Sequence, residues 1–167
     1  AYYYLGQIAE DGKHNAEALG YYAMVGAGEQ YVPARLRSAR LLAEEGQLDM
    51  ARVQLREAKG TTPEERVQLL IGEAGLLRDA KQDQKAYDLL DEALTAQPDQ
   101  PDLLYETALL AEKLGLPDIL ETRLRRLIEL RPESAQAYNA LGYSYAERNV
   151  RLTEALALIA KALKLAP

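Results

Sequence analysis

An internal repeat of about 34 residues is the feature that most constrains how this chain folds. One small or aliphatic residue recurs in each period, and these anchor residues are Ala18, Ala51, Ala86, Leu120 and Ala155. A second set follows seven positions after the anchors: Val25, Ala58, Ala93, Leu127 and Ala162. The last three periods close with a proline, at Pro98, Pro132 and Pro167. A repeat of this length that consists of two helices is typical of a solenoid of helical hairpins.

Apolar residues at helical spacing divide the chain into about ten segments, two in each period. We predict helices at 2–11, 16–27, 31–45, 48–59, 63–79, 84–96, 101–114, 117–130, 134–148 and 152–166. Glycine or proline interrupts the pattern between most of them. The stretch "TTPEE" adds a start signal, because Thr62 can cap a helix that begins at Pro63 and has an acidic first turn. No segment shows strand alternation, so the sequence predicts an all-α fold.

Composition narrows the possible partners of these 167 residues. The net charge is −6 and no basic stripe occurs, which argues against nucleic acid as a partner. No apolar run reaches the eighteen or so residues that a membrane span needs, so we expect no membrane insertion by this segment. The start, "AYYYLGQIAE", has neither an initiator Met nor the features of a signal peptide. We therefore interpret the chain as a segment of a longer protein.

Residues that could carry catalysis are few. The chain has no Cys, which excludes thiolate chemistry and zinc sites with sulfur ligands. The single histidine, His14, lies in the turn "EDGKHNAE", and the serines have no second histidine to draw on. Adjacent acids such as Glu44 and Glu45 point about 100° apart on a helix and do not share a site. We predict no catalytic, cofactor or metal site. An enzyme such as a hydrolase or transferase would require a close pair of ionisable side chains in a closed pocket.

The residues at matching places in the repeats suggest a family. The fifth period has Tyr138, Leu141, Gly142, Tyr145, Ala155, Ala162 and Pro167, and the first has Tyr2, Leu5, Gly6, Ala18 and Tyr22. These residues resemble the hallmark residues of tetratricopeptide repeats (TPRs). The middle repeats keep a small residue but replace its leucine neighbour with Ser38, Glu73 and Thr107. The resemblance implies five helix-turn-helix repeats, at 1–32, 33–66, 67–100, 101–134 and 135–167, in an α-solenoid that forms a single right-handed superhelical domain.

A small residue interrupts the first helix of every repeat. These residues are Gly6, Ala39, Ala74, Ala108 and Gly142. A glycine inside a helix costs about 1 kcal/mol relative to alanine. Because TPRs pack the two helices of a hairpin closely, the resemblance implies that the five residues lie where those helices touch. A larger side chain there would cost roughly 1–3 kcal/mol.

A stack of helical hairpins also has a concave surface lined by the first helix of each repeat. Carried over from the family, the lining residues are Tyr3, Gln7, Leu36, Arg37, Arg40, Ile71, Arg78, Tyr105, Leu109, Asn139 and Tyr143. Tyrosines and aliphatic residues suit the apolar anchors of a bound peptide, and the arginines suit an acidic group on it. We therefore predict a non-catalytic scaffold or adaptor that binds a protein or peptide in this groove.

The C-terminal repeat suggests a cellular context and a second function. "LGYSYAERNVRLTEALALIAKALKLAP" is similar to part of long TPR proteins of the proteobacterial cell envelope, some of which are lipoprotein adaptors for periplasmic proteases or assembly machines. This similarity implies a periplasmic location, with the cytoplasm as the alternative. An apolar stripe on the last helix (Leu156, Ile159 and Leu163) and the tyrosines at positions 2–4 favour an alternative function, self-association through the end faces.

Overall fold

The computed structural model describes residues 1–167 and contains ten α-helices and no β-strand. The helices are α1 (Tyr2–Asp11), α2 (Asn15–Ala23), α3 (Tyr31–Glu44), α4 (Leu48–Glu57), α5 (Pro63–Asp79), α6 (Asp83–Ala96), α7 (Pro101–Lys113), α8 (Pro117–Leu130), α9 (Ala135–Glu147) and α10 (Leu152–Leu165). The all-α prediction is therefore confirmed, together with the number of helices.

The second helix is where the predicted bounds are wrong. The sequence predicts a helix over 16–27, but α2 ends at Ala23. Gly26 and Gly28 follow, and Gly28 has φ +136°, a conformation that only glycine adopts easily. Two glycines so close together remove the local preference for helix, which the apolar spacing alone did not reveal. Every other predicted end lies within two residues of the observed end.

The helix starts follow the local signals in the sequence. At α5 the Thr62 hydroxyl accepts a hydrogen bond from the Glu65 amide at 3.1 Å, and the Glu65 carboxylate accepts from the Thr62 amide at 3.3 Å. This reciprocal pair is a capping box. Hydrogen bonds from the Thr61 hydroxyl and amide also keep the pKa of Glu65 below its usual value. The side chains of Gln100 and Ser134 cap α7 and α9 in a similar way.

The chain divides into two compact units, Ala1–Lys81 and Gln82–Pro167. In the first unit α1 packs on α2, α2 on α3, and α3 and α4 on each other and on α5. In the second unit each helix from α6 to α10 packs on the next one along the chain. The boundary between the units falls inside the third expected repeat, between α5 and α6. The single domain and the five repeat boundaries stay predictions.

Close contacts between paired helices explain why two of the five small-residue positions, Gly6 and Gly142, are glycine. A Cβ atom built on Gly142 would lie 2.9 Å from Ile159 Cγ1 and 3.0 Å from the carbonyl oxygen of Ala155 on α10. A Cβ atom on Gly6 would overlap the ring of Tyr22 on α2. Both α9 and α1 therefore accept a residue of low helix propensity because any side chain would push the paired helices apart. The three alanines of the set, Ala39, Ala74 and Ala108, are buried.

The repeating anchor residues form the cores of the two units. All five of them are buried: Ala18, Ala51, Ala86, Leu120 and Ala155. In the second set, seven residues further on, Val25, Leu127 and Ala162 are buried and the other two are half-buried. The exposed prolines Pro98, Pro132 and Pro167 each stand two residues after the end of a helix, where proline stops helix propagation.

Candidate functional site

The residues predicted to line a groove keep accessible surface in both units. In the first unit Tyr3, Gln7, Leu36, Arg37, Ile71 and Arg78 are half-buried and Arg40 is exposed. In the second unit Tyr105 and Leu109 are half-buried, and Asn139 and Tyr143 are exposed. They lie on α1, α3, α5, α7 and α9, the first helices of the expected repeats. None of them is fully buried, although Tyr3 and Leu36 pack against the cores of the first unit.

Two of the predicted groove residues are already paired within the chain. Arg37 Nη1 donates to Glu10 Oε2 at 2.8 Å, and Arg40 Nη2 donates to Glu10 Oε1 at 2.6 Å. The Tyr22 hydroxyl donates to the same carboxylate at 2.5 Å. Within the chain, the acidic group that meets these arginines is therefore Glu10 of α1, and binding of an acidic group of a partner stays a prediction. Glu10 is 27 residues from Arg37 and 30 residues from Arg40 in sequence, so no local sequence pattern indicated these ion pairs.

The protonation states of Glu10 and Tyr22 favour the ion pairs of Glu10 with Arg37 and Arg40. Burial by itself would raise the pKa of Glu10, but hydrogen bonds from Tyr22, Arg37 and Arg40 outweigh it and keep that pKa below the usual value. Burial, with the hydrogen bond to Glu10, raises the pKa of Tyr22 to about 12. At neutral pH Glu10 is therefore charged and Tyr22 is neutral, and together they join α1 and α2 to the arginines of α3.

A pocket lies beside Tyr105, at the predicted surface of the second unit. It has a volume of about 230 Å³ and lies between the start of α7, the end of α8 and the start of α9. Its walls are Pro101, Asp102, Tyr105, Leu127, Arg131, Glu133, Ser134 and Gln136. Burial raises the pKa of the Tyr105 hydroxyl, which keeps it a neutral donor. The mixed lining suits one side chain of a partner, with an apolar body and a polar tip.

The three residues that replace the hallmark leucine form buried polar contacts. Ser38 Oγ accepts a hydrogen bond from Gln54 Nε2 at 3.0 Å. Thr107 Oγ1 accepts one from Arg123 Nη1 at 2.9 Å and donates to a backbone carbonyl of its own helix. In both pairs the long polar side chain follows 16 residues after the short one. That recurring spacing is the one signal in the sequence that could have indicated these contacts.

The third of these residues is a buried glutamate. The Glu73 side chain is 3% exposed, and its Oε1 accepts from Arg52 Nε at 3.0 Å and from Arg56 Nε at 2.9 Å. Both arginines belong to α4, one turn apart, and reach across to α5. Because a buried charge needs a partner, the pair of arginines compensates the carboxylate. The departure from the family pattern is thus structural.

A second ionic cluster joins α8, α9 and α10. Arg125 Nη2 donates to the Tyr145 hydroxyl and to Glu154 Oε1, both at 2.8 Å, while its Nε donates to Glu121 at 2.9 Å. Arg151 Nη1 also donates to Glu121 at 2.8 Å. Burial would raise the pKa of Glu121, but hydrogen bonds from Tyr145 and Arg125 keep it below the usual value.

These clusters do not resemble a catalytic site. A general acid or base works best with a pKa near neutral, whereas the pKa values of Glu10 and Glu121 are lowered by their partners. The only histidine, His14, is exposed at the start of α2. No group of three His, Cys, Asp or Glu side chains is placed to hold a metal ion. None of the ten helices has both the length and the apolar character that crossing a bilayer requires.

Comparison with known proteins identifies the repeats. No protein-family model matches the chain. Over its whole length the chain is 40% identical to the "TPR repeat-containing protein PA4667" of Pseudomonas aeruginosa, and it spans 28% of the length of that protein. Its fold is similar to that of MamA, with a TM-score of 0.64 and 19% identity over 96% of this chain and 94% of MamA.

A second solved structure also has a similar fold. The fold is similar to that of YrrB, described as a TPR protein with an unusual peptide-binding site, with a TM-score of 0.61 and 16% identity. That likeness covers 99% of this chain and 85% of YrrB. The resemblance of the sequence to tetratricopeptide repeats is therefore confirmed: the chain is homologous along its whole length to part of a protein named for its TPRs, and its all-helical fold is similar to that of a solved TPR protein.

Proposed function

We propose that the chain is a non-catalytic protein-interaction module that binds a peptide segment or a partner protein on the first helices of its repeats. TPR proteins generally mediate protein–protein interaction and are generally scaffolds without catalytic activity. The observation that carries the proposal is the pocket beside Tyr105, a residue that the resemblance to the family placed in the groove. Exposed Tyr143 and Asn139 on α9 extend the accessible surface of the same unit.

The first unit contributes a surface of a different character. Arg37 and Arg40 share the Glu10 carboxylate, and Arg40 Nε also lies 3.7 Å from Glu44 Oε1, so two acidic residues of the chain balance the two arginines. A partner is then bound through Tyr3, Leu36 and their neighbours by burial of apolar area, with little contribution from charge.

The cellular role that we propose is assembly or proteolysis in the cell envelope of a bacterium. It is supported by the similarity of the last repeat to envelope TPR proteins and by a homologue from Pseudomonas aeruginosa. The partner on this proposal is an extended or helical segment of a protein that the full-length scaffold brings to a protease or an assembly machine.

Crosslinking of the full-length protein in cells, followed by mass spectrometry, identifies the partner. Its affinity for the 167-residue chain is then measured with Tyr105→Ala, and Tyr4→Ala serves as control because Tyr4 is an exposed tyrosine outside the predicted groove. We expect Tyr105→Ala to weaken binding about tenfold or more, which corresponds to about 1.4 kcal/mol. If Tyr105→Ala and Tyr143→Ala both bind the partner with unchanged affinity and keep the native circular dichroism spectrum, the predicted groove is not the binding surface.

Self-association is the second candidate function. Helix α10 exposes large apolar side chains in a row, with Leu156 71% and Leu163 62% exposed. Isolated exposed leucines are common, but several on one face suggest an interface. Sedimentation distinguishes the two functions: a discrete dimer that persists at low micromolar concentration and dissociates on Leu156→Asp favours self-association, whereas a monomer favours the scaffold.

A further inference from the structure

The early end of α2 leaves part of the first unit uncovered. Helix α2 has 9 residues, whereas α6, the second helix of the third expected repeat, has 14. Ala23 stands five residues after its anchor, as Asp91 does in α6. Helix α2 therefore stops where α6 continues for more than one further turn.

In the second unit, side chains at the end of α6 and in the loop after it pair with side chains of α8. Arg123 Nη2 donates to Asp91 Oδ1 at 2.6 Å. Arg126 forms two hydrogen bonds with the carboxylate of Asp99, at 2.8 and 2.9 Å. Both arginines of α8 thus find their partners at or beyond the place in the repeat where α2 ends.

The corresponding residues of α4 have no such partners. Gln54 stands at the place of Arg123 in the repeat, and its Oε1 is buried without any hydrogen-bond partner. Glu57 stands at the place of Arg126 and forms no hydrogen bond or ion pair within the chain. An unsatisfied buried acceptor costs free energy.

A pocket of about 610 Å³ opens at this place, between α3 and α4. Its apolar walls include Tyr31, Leu42, Met50 and Val53. Met50 is 60% and Val53 48% exposed, one turn apart on α4. A flexible methionine beside an open apolar wall is typical of surfaces that receive a partner helix.

The pocket is lined by two acidic residues and one basic residue, so its net charge is negative. Arg35 lies over the ring of Tyr31, 4.9 Å from its centroid, and donates to the carbonyl oxygen of Val25 at 3.2 Å just after α2. By contrast, Asp49 and Glu57 are exposed and have no partner within the chain. They are eight residues apart on α4, about 12 Å along the helix axis, and Met50 and Val53 lie between them.

We propose that this α3–α4 pocket binds an amphipathic helical segment of a partner protein that carries a basic residue at each end of an apolar centre. Lys or Arg at positions i and i+7 are about 10.5 Å apart along a helix axis, which is close to the axial rise of about 12 Å between Asp49 and Glu57. Leucines at i+3 and i+4 then face Met50 and Val53. The partner helix occupies the space that the missing end of α2 leaves. The α3–α4 pocket shares no residue with the predicted groove, so either site can fail alone.

A synthetic helical peptide with Lys at i and i+7 and Leu at i+3 and i+4 tests the proposal by fluorescence anisotropy with the 167-residue chain. We expect saturable binding that weakens about tenfold in the double variant Asp49→Asn, Glu57→Gln and weakens as salt rises. The double variant Asp118→Asn, Glu92→Gln removes the same charge at exposed positions of α8 and α6 and should bind as the original chain does.

Two further measurements separate the apolar contact from the charges. Val53→Asp should abolish binding of the peptide, while Met50→Leu should retain it because leucine keeps the apolar wall. Circular dichroism checks that every variant is folded. No binding by the original chain, equal affinity for a peptide with Glu in place of both Lys residues, or equal loss in the Asp118→Asn, Glu92→Gln control overturns the proposal.

Discussion

Replacement of Glu73 by alanine tests whether the polar residues at the leucine positions hold neighbouring helices together. The carboxylate is almost fully buried and accepts hydrogen bonds from Arg52 and Arg56 through one oxygen. Glu73→Ala removes the charge that holds both arginines and leaves a small cavity between α4 and α5. The two arginines differ in their access to water, because the Arg52 side chain is 22% and the Arg56 side chain 55% exposed.

The expected loss of stability follows from that difference. Breaking a buried ion pair from one side costs about 3–5 kcal/mol when the remaining charge stays buried. Arg56 can turn into water, whereas Arg52 remains largely enclosed, so we expect the lower end, about 3 kcal/mol. The double variant Glu73→Leu, Arg52→Leu replaces the pair with apolar volume and restores the hallmark leucine. It should unfold within about 1 kcal/mol of the original chain.

Urea unfolding followed by circular dichroism measures both changes, with Glu64→Ala as an exposed glutamate control on the same helix. Repeat arrays can unfold locally, so hydrogen exchange should show the loss of protection first in α4 and α5. A loss below about 1 kcal/mol for Glu73→Ala, or a double variant that is less stable than the single one, would refute the reasoning.

Three further changes probe other contacts. Gly142→Leu should lower the free energy of unfolding by about 1–3 kcal/mol because Ile159 and α10 leave no room for a Cβ atom; an unchanged melting temperature would mean that the fifth repeat is wrongly aligned. Because the pKa of Glu10 is lowered in the folded state, its contribution to stability is present at neutral pH and lost as pH falls through that lowered pKa, and Glu10→Gln should flatten urea midpoints measured from pH 6 to pH 3. Thr62→Ala should cost about 1 kcal/mol in urea unfolding by removing the cap of α5, whereas Thr61→Ala, which leaves the Thr62 hydroxyl in place, should cost less.

Local signals account for the features that the sequence predicted well. Prolines 63, 101 and 117 begin helices in the structure as expected, because proline suits the first turn and no later one. The anchor residues are buried because the same position of every period faces the core in a repeating array. Both effects depend only on neighbours in sequence or on the period.

The candidate site was harder to predict for a physical reason. Its residues keep accessible surface in the structure, and binding of a partner to them stays a prediction. The contact of Glu10 with Arg37 and Arg40 could not be predicted, because these residues meet only after the helices have packed. The α3–α4 pocket could not be predicted from the sequence either. Its walls come from α3, α4 and the residue after α4, so the pocket exists only once these helices have packed.

The sequence by itself determined the periodicity, the ten helices and the places where a small residue is required, because these depend on spacing, helix propensity and the repeat. The tertiary structure alone decided which charges neutralise one another and which surfaces stay open. Those outcomes depend on side chains that are far apart in the chain and meet only when the helices pack, as Glu10 meets Arg37 and Arg40.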